Sequence, residues 1–132
     1  HGVGGSATSS LMYYHRAAGA TAFSANPVPL FDLTCLASVC GHDHVRMVAV
    51  PGTDYVLVVS GSAAATRNFA WVWNGSAFGP PIELLPSRSS AAQLGVLNVA
   101  CRGAGTAARC SFFTPSADAL TEHVWRVAAD AP

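Results

Sequence analysis

The sequence predicts an all-β protein of about eight to ten antiparallel strands, cross-linked by disulfides. Short segments rich in Val, Tyr, Phe and Trp recur along the chain, and Gly, Pro, Asn and Ser lie between them. This alternation is typical of strands joined by tight turns. Four cysteines in 132 residues allow two cross-links, and a hydrophobic fraction of 51% is enough for one packed core.

The first half of the chain contains several strand-like segments. SSLMYYHR is rich in aromatic residues and predicts the first strand, and ATAFSA follows it after an Ala-Gly turn. HVRMVAV and DYVLVVSG predict a hairpin, because PGT between them favours a tight turn. We expect residues 1–8 to form a flexible tail and residues 9–132 to form a single all-β domain.

The second half continues the same pattern. RNFAWVWNG places Phe69, Trp71 and Trp73 on one face of a strand, and its turn leads to SAFGPPIELL. The two prolines of that segment favour an edge strand or a loop. QLGVLNVAC and RCSFF predict a hairpin across RGAGTAA. In LTEHVWRVAA the valine and tryptophan favour a last strand, whereas the alanines and glutamate favour a short helix.

The cysteine spacing favours covalent cross-links. Four residues separate Cys35 from Cys40 and eight separate Cys101 from Cys110, whereas redox pairs are Cys-x-x-Cys and zinc sites combine two close pairs. The predicted hairpin would bring Cys101 beside Cys110, so we predict the bridges Cys101–Cys110 and Cys35–Cys40. Free buried thiols, other pairings and a metal site are the alternatives. Disulfides would place the protein outside the cytosol, and we expect it to be secreted.

The charge composition disfavours two classes of partner. The chain has no lysine, and its seven arginines balance seven acidic residues. Nucleic acids and anionic membranes are bound by clustered cations, so we expect no nucleic-acid partner. No apolar run reaches the length of a membrane span, so we expect no membrane insertion.

An internal repeat is visible in the order of these segments. LMYYHRAAGATAF resembles FAWVWNGSAF, because each has an aromatic strand, a turn of small residues and then Ala-Phe, so that Tyr14 corresponds to Trp73. We place the two copies at about residues 9–66 and 67–120. Units of this size with about four strands match a propeller blade. The sequence therefore predicts propeller-like repeated hairpins, or a β-sandwich or barrel with a duplicated hairpin.

NVAC with CSFF, together with AWVWNGSAF, resembles certain bacterial extracellular propeller-like repeats. In those repeats a cysteine pair accompanies an aromatic hairpin, and LTC…C…MVAV with YVLVVSG resembles a looser copy. The resemblance implies four-stranded propeller blades, but this chain holds only about two and a half of the four or more that a ring needs. We therefore expect self-association through residues 9–16 and 120–128.

Candidate metal ligands are few. His42 and His44 would share one face of a strand, but no third ligand is identifiable, and a solvated loop is the alternative. His1 could chelate copper through its amine and ring, as in secreted copper oxygenases that act on polysaccharides, but the similarity ends at the first two residues. No nucleophile elbow and no paired carboxylates are present, so we expect no catalytic residues and no cofactor.

The aromatic residues suggest a ligand. Trp71, Trp73 and Tyr14 could stack on a sugar ring, while Arg67 and Asn74 could bind its hydroxyl groups. Core packing is the alternative for both tryptophans. Asn74 also begins an Asn-Gly-Ser sequon, which is a possible glycosylation site.

These observations predict a non-catalytic extracellular binding module, with carbohydrate as its ligand. One alternative is a structural subunit of an extracellular filament or shell. The other is a small secreted copper enzyme that uses His1.

Overall fold

The computed structural model describes residues 8–34, 42–62, 67–84, 98–115 and 119–130. Every described strand pairing is antiparallel, which confirms the predicted class. The described strands are β1 (Thr8–Tyr13), β2 (Val28–Thr34), β3 (His42–Ala49), β4 (Val56–Ser62), β5 (Arg67–Trp73), β6 (Ile82–Leu84), β7 (Val99–Arg102), β8 (Arg109–Pro115) and β9 (Leu120–Arg126). Helix in these ranges is limited to a 3-10 turn at Gly105–Ala107 and to α1 (Val127–Asp130).

The strands form three sheets. The first sheet is the pair β1–β2, the middle sheet has the order β3-β4-β5-β6, and the third sheet has the order β7-β8-β9. None of these sheets closes on itself within the described ranges, so the barrel alternative does not describe this part of the chain.

The middle sheet lies between the other two and is buried on both faces. Toward the first sheet it presents Val58, Phe69 and Trp71, which pack against Leu11 and Leu30. The alternation predicted for β5 is therefore present. Both faces of β5 are covered, because five consecutive residues of this strand are buried.

The larger core lies between the middle and third sheets. Its buried residues are Val50, Leu57, Val59, Ala70, Val72, Leu84, Ala108, Cys110, Phe112 and Trp125. Leu57 and Val59 are fully buried, and each such side chain stabilises the fold by roughly 1.5–3 kcal/mol. This interface fixes the third sheet against the middle one.

The predicted staple is confirmed for one pair of cysteines. Cys101 and Cys110 are direct partners on β7 and β8, with Cα atoms 4.0 Å apart, and they form a disulfide. The turn beside them requires Gly103, whose φ is +76° and where a Cβ would lie 2.6 Å from the carbonyl oxygen of Ala107. Cys35 and Cys40 lie outside the described residues, so their bridge stays a prediction.

The PGT hairpin is also confirmed. Val50 N–H donates to Tyr55 O at 2.9 Å, and the Thr53 hydroxyl donates to Val50 O at 2.9 Å. The turn touches the β7–β8 connection, because Gly105 N–H donates to Pro51 O at 2.9 Å. Both turns therefore lie at one end of the stacked sheets.

Two segments differ from the prediction. ATAFSA lies in a loop in which Phe23 is exposed, and the strand that returns to β1 is β2 instead. A turn closed by Ala20 N–H and Ala17 O, with Gly19 at a φ of +79°, starts this loop. At the other end, LTEHVWRVAA combines both alternatives, because strand β9 continues directly into the four residues of α1.

The stacking bears on the proposed repeat. With the offset of 59 residues that aligns Tyr14 with Trp73, Leu11 aligns with Ala70. Leu11 lies in the first sheet and packs toward the middle sheet, and Ala70 lies in the middle sheet and packs toward the third. Each residue therefore faces the next sheet along the chain. The boundary proposed between the copies falls inside the middle sheet, between β4 and β5. The equivalence of the two copies stays a prediction.

Candidate ligand-binding site

An aromatic cup opens where the end of β1 meets the ends of β4 and β5. Its volume is about 190 Å³. The residues that line it, which we call the aromatic cup throughout, are Tyr13, Tyr14, His15, Met47, Val56, Trp73 and Phe78. The structure thus brings together two of the predicted ligand-binding residues, Trp73 and Tyr14.

Trp73 lies at the centre of the cup. Its ring centroid is 5.2 Å from that of Phe78 and 6.1 Å from that of Tyr13, both in edge-to-face geometry. The His15 ring lies 5.0 Å away and is tilted by 40°. Edge-to-face aromatic contacts are favourable and directional, so they hold the indole in one orientation.

The rim of the cup is exposed. Tyr14 is 54% exposed and Met47 is 72% exposed, while Trp73 and Phe78 are partly buried. An apolar surface with a phenol at its edge suits a ligand with both C–H faces and hydroxyl groups.

The turn after Trp73 is fixed by Asn74. Its Oδ1 accepts hydrogen bonds from Ser76 N–H at 3.0 Å, Ser76 Oγ at 2.9 Å and Ala77 N–H at 3.0 Å. Gly75 has a φ of +97°, as the turn requires. The turn brings Phe78 back to pair with Trp73. None of these contacts involves Nδ2 of Asn74, which is the atom that a glycan or a ligand hydroxyl would use.

Arg67 lies away from the cup. It begins β5 and Trp73 ends it, so about 20 Å of strand separates them. Its guanidinium forms a two-point ion pair with Glu83, with Nε 2.6 Å from Oε1, and lies over the Phe69 ring. This hydrogen-bonded pairing raises the pKa of Arg67 and lowers the pKa of Glu83. The role predicted for Arg67 in ligand binding has no counterpart in the cup.

Trp71 is also outside the cup. It is fully buried between the first and middle sheets, beside Phe69, and therefore packs as a core residue. The neighbouring Asn68 is fully buried as well, and its amide atoms have no hydrogen-bond partner among the described residues.

The metal hypotheses receive no support from the described part of the chain. There, no group of three or more His, Cys, Asp or Glu side chains could hold an ion. His42 and His44 both lie on strand β3, as the metal hypothesis for them required. Their side chains, and the whole of His1, are outside the part of the chain that the structure describes. Within the described ranges we also find no helix with the length and apolarity needed to cross a bilayer.

Several cup residues were not predicted. Tyr13 and His15 flank the predicted Tyr14, and Phe78 follows the predicted turn, so adjacency to Tyr14 and Trp73 was the available signal. Met47 comes from β3, and the register of the middle sheet brings it to the rim, because Met47 pairs with Val58 and Val58 pairs with Trp71. Comparison with protein-family models, with curated proteins and with solved structures gives no match for this chain.

Proposed function

We propose that this chain is a non-catalytic extracellular binding module that binds carbohydrate in the aromatic cup. The observation that carries the proposal is the partly exposed indole of Trp73, held by Tyr13 and Phe78. A fixed aromatic face attracts the C–H groups of a pyranose and loses little conformational entropy on binding.

The size of the cup supports one bound ring. Its volume of about 190 Å³ is below the roughly 300–1,000 Å³ of pockets that enclose a drug-sized ligand. A single sugar unit, at the end or along the side of a glycan, fits this description.

The chemistry of the lining supports binding rather than hydrolysis. The titratable groups among the cup residues are those of His15, Tyr13 and Tyr14, and no carboxylate belongs to this set. Glycoside hydrolysis generally uses a pair of carboxylates. The Cys101–Cys110 disulfide supports an extracellular location, where such bonds persist.

A glycan array tests the proposal. We expect wild-type protein to bind a subset of neutral or acidic glycans and Trp73→Ala to weaken binding at least tenfold, because the variant removes the stacking face. Phe23→Ala is the matched control, since Phe23 is an exposed aromatic residue outside the cup. Unchanged binding by Trp73→Ala, or an equal loss in Phe23→Ala, would contradict the proposal.

The second candidate, a subunit of an assembly, is favoured by the edge of β9. In the described residues β9 pairs only with β8, and a groove of about 460 Å³ separates it from β6. In the middle sheet the equivalent third strand is β5, and there β6 pairs with the edge equivalent to the one that β9 leaves open in the third sheet. A strand from another copy could pair there, and Leu120 and Val124 are exposed beside it.

Light scattering at micromolar concentration tests this candidate. We expect association that Val124→Pro weakens, because proline removes a main-chain donor from the edge. A monomer at all concentrations would contradict it. The copper alternative depends on His1, and the described residues add nothing to it.

A further inference from the structure

Three arginines lie side by side across the third sheet. Arg102 on β7 pairs with Arg109 on β8, which pairs in turn with Arg126 on β9. Partners in an antiparallel sheet share a face, and the next residues, Cys110 and Trp125, are buried in the core. The three arginines therefore point away from the middle sheet. We call them the arginine row.

The disulfide holds this row together. Cys101 and Cys110 occupy the register position next to Arg102 and Arg109, so the covalent bond fixes two arginines as neighbours. Adjacent like charges on a sheet are mutually destabilising. A chain with only seven arginines thus places three of them where they repel.

No described carboxylate forms an ion pair with the row. The ion pair found within the described ranges joins Arg67 to Glu83, at the far end of β5. Asp130 binds the main-chain N–H of Arg126 at 2.7 Å rather than its guanidinium. Glu122 shares the outer face of β9 but lies four residues away, or about 13 Å.

The row borders a cavity of about 400 Å³. Besides the three arginines, its lining consists of Gly103, Thr106, Ala107, Ala108 and Ala128. Small side chains leave the guanidinium groups accessible, and the lining contains one hydroxyl and no acidic group. The site is therefore shaped for an anion with several oxygen atoms.

We propose that the arginine row binds the carboxylate or sulfate groups of an acidic polysaccharide. Guanidinium groups bind such oxyanions through two parallel hydrogen bonds, and a row of three can engage successive charged groups along a chain. A bound anion also removes the repulsion among the arginines. The cup lies between the first and middle sheets, so this second site goes beyond the function proposed for the cup.

A polysaccharide fits the site better than a nucleic acid. Proteins that hold single strands stack the bases on aromatic side chains, and the cavity lining contains none.

Calorimetric titration with tetragalacturonate tests the proposal. We expect Arg109→Gln to weaken binding about tenfold or more, because it removes the central two-point contact. Arg46→Gln makes the same charge change at an exposed position of β3, outside the lining of this cavity, and should alter binding less than twofold. Without ligand, the melting temperature of Arg109→Gln should equal that of the wild-type protein or be slightly higher, since the variant relieves repulsion among the arginines.

Three further titrations separate the sources of the anion. The methyl ester of tetragalacturonate should not bind at the row, and inorganic sulfate should bind far more weakly than the oligomer. A poly-dT oligonucleotide should also bind more weakly. Equal binding of the ester, the sulfate or the oligonucleotide would overturn the proposal, as would an equal loss in Arg46→Gln. In a Trp73→Ala background, Arg109→Gln should weaken tetragalacturonate binding by the same factor as in the wild-type protein. This result would separate the site from the cup.

Discussion

Replacing both Cys101 and Cys110 by alanine should destabilise the fold by about 3–4 kcal/mol. The bridge closes a loop with a sequence separation of nine, and the chain-entropy relation gives about 2.6 kcal/mol for a loop of that length. Cys110 is also fully buried in the larger core, so losing its sulfur adds roughly 1 kcal/mol. The melting temperature should fall by about 10 °C.

Denaturant unfolding monitored by tryptophan fluorescence measures this loss, because Trp125 lies in the same core. The variant keeps Cys35 and Cys40, so the comparison isolates one bridge. A loss below about 1 kcal/mol would refute the argument that this staple stabilises the third sheet.

Two further predictions concern a turn and a partly buried histidine. In thermal melts, Gly103→Ala should destabilise the fold by about 1 kcal/mol or more beyond the loss in Gly19→Ala. Both residues have a positive φ, but of the two only at Gly103 would a Cβ meet a backbone oxygen, at 2.6 Å. Equal losses in the two variants would contradict this prediction. Burial lowers the pKa of His123 below its ordinary 6.5, so the unfolded chain binds its proton first. Stability should be full above pH 6.5 and decline as the pH falls below it, and His123→Gln should flatten that dependence in urea titrations.

Local pattern was sufficient for most of the fold. The aromatic alternation of β5, the PGT hairpin and the hairpin around Cys101 and Cys110 depend on neighbours in sequence, and all three are present. The strand β2 was not predicted. It contains Pro29, a residue found mainly in edge strands, and it pairs with β1 alone within the described residues. The prediction of a strand at ATAFSA was wrong, because the turn of small residues before it leads into a long loop instead of a hairpin.

The sites were less predictable, because packing and register create them. Trp73 and Tyr14 could be named from their side chains, but sequence alone could not separate Trp73 at the cup from Trp71 in the core. Each occupies the same face of β5, and only the extent of the first sheet decides which one is covered. The arginine row follows from strand register, which brings Arg126 beside residues that are distant in sequence.

The most direct test of the account uses the indole N–H resonances of the three tryptophans in a nitrogen–proton correlation spectrum. During titration with a glycan selected on the array, the Trp73 signal should shift, because its ring forms the centre of the cup. The signals of Trp71 and Trp125 should remain in place, since these side chains are 0% and 5% exposed. Shifts of Trp71 or Trp125 without a shift of Trp73 would contradict the assignment of the aromatic cup as the binding site.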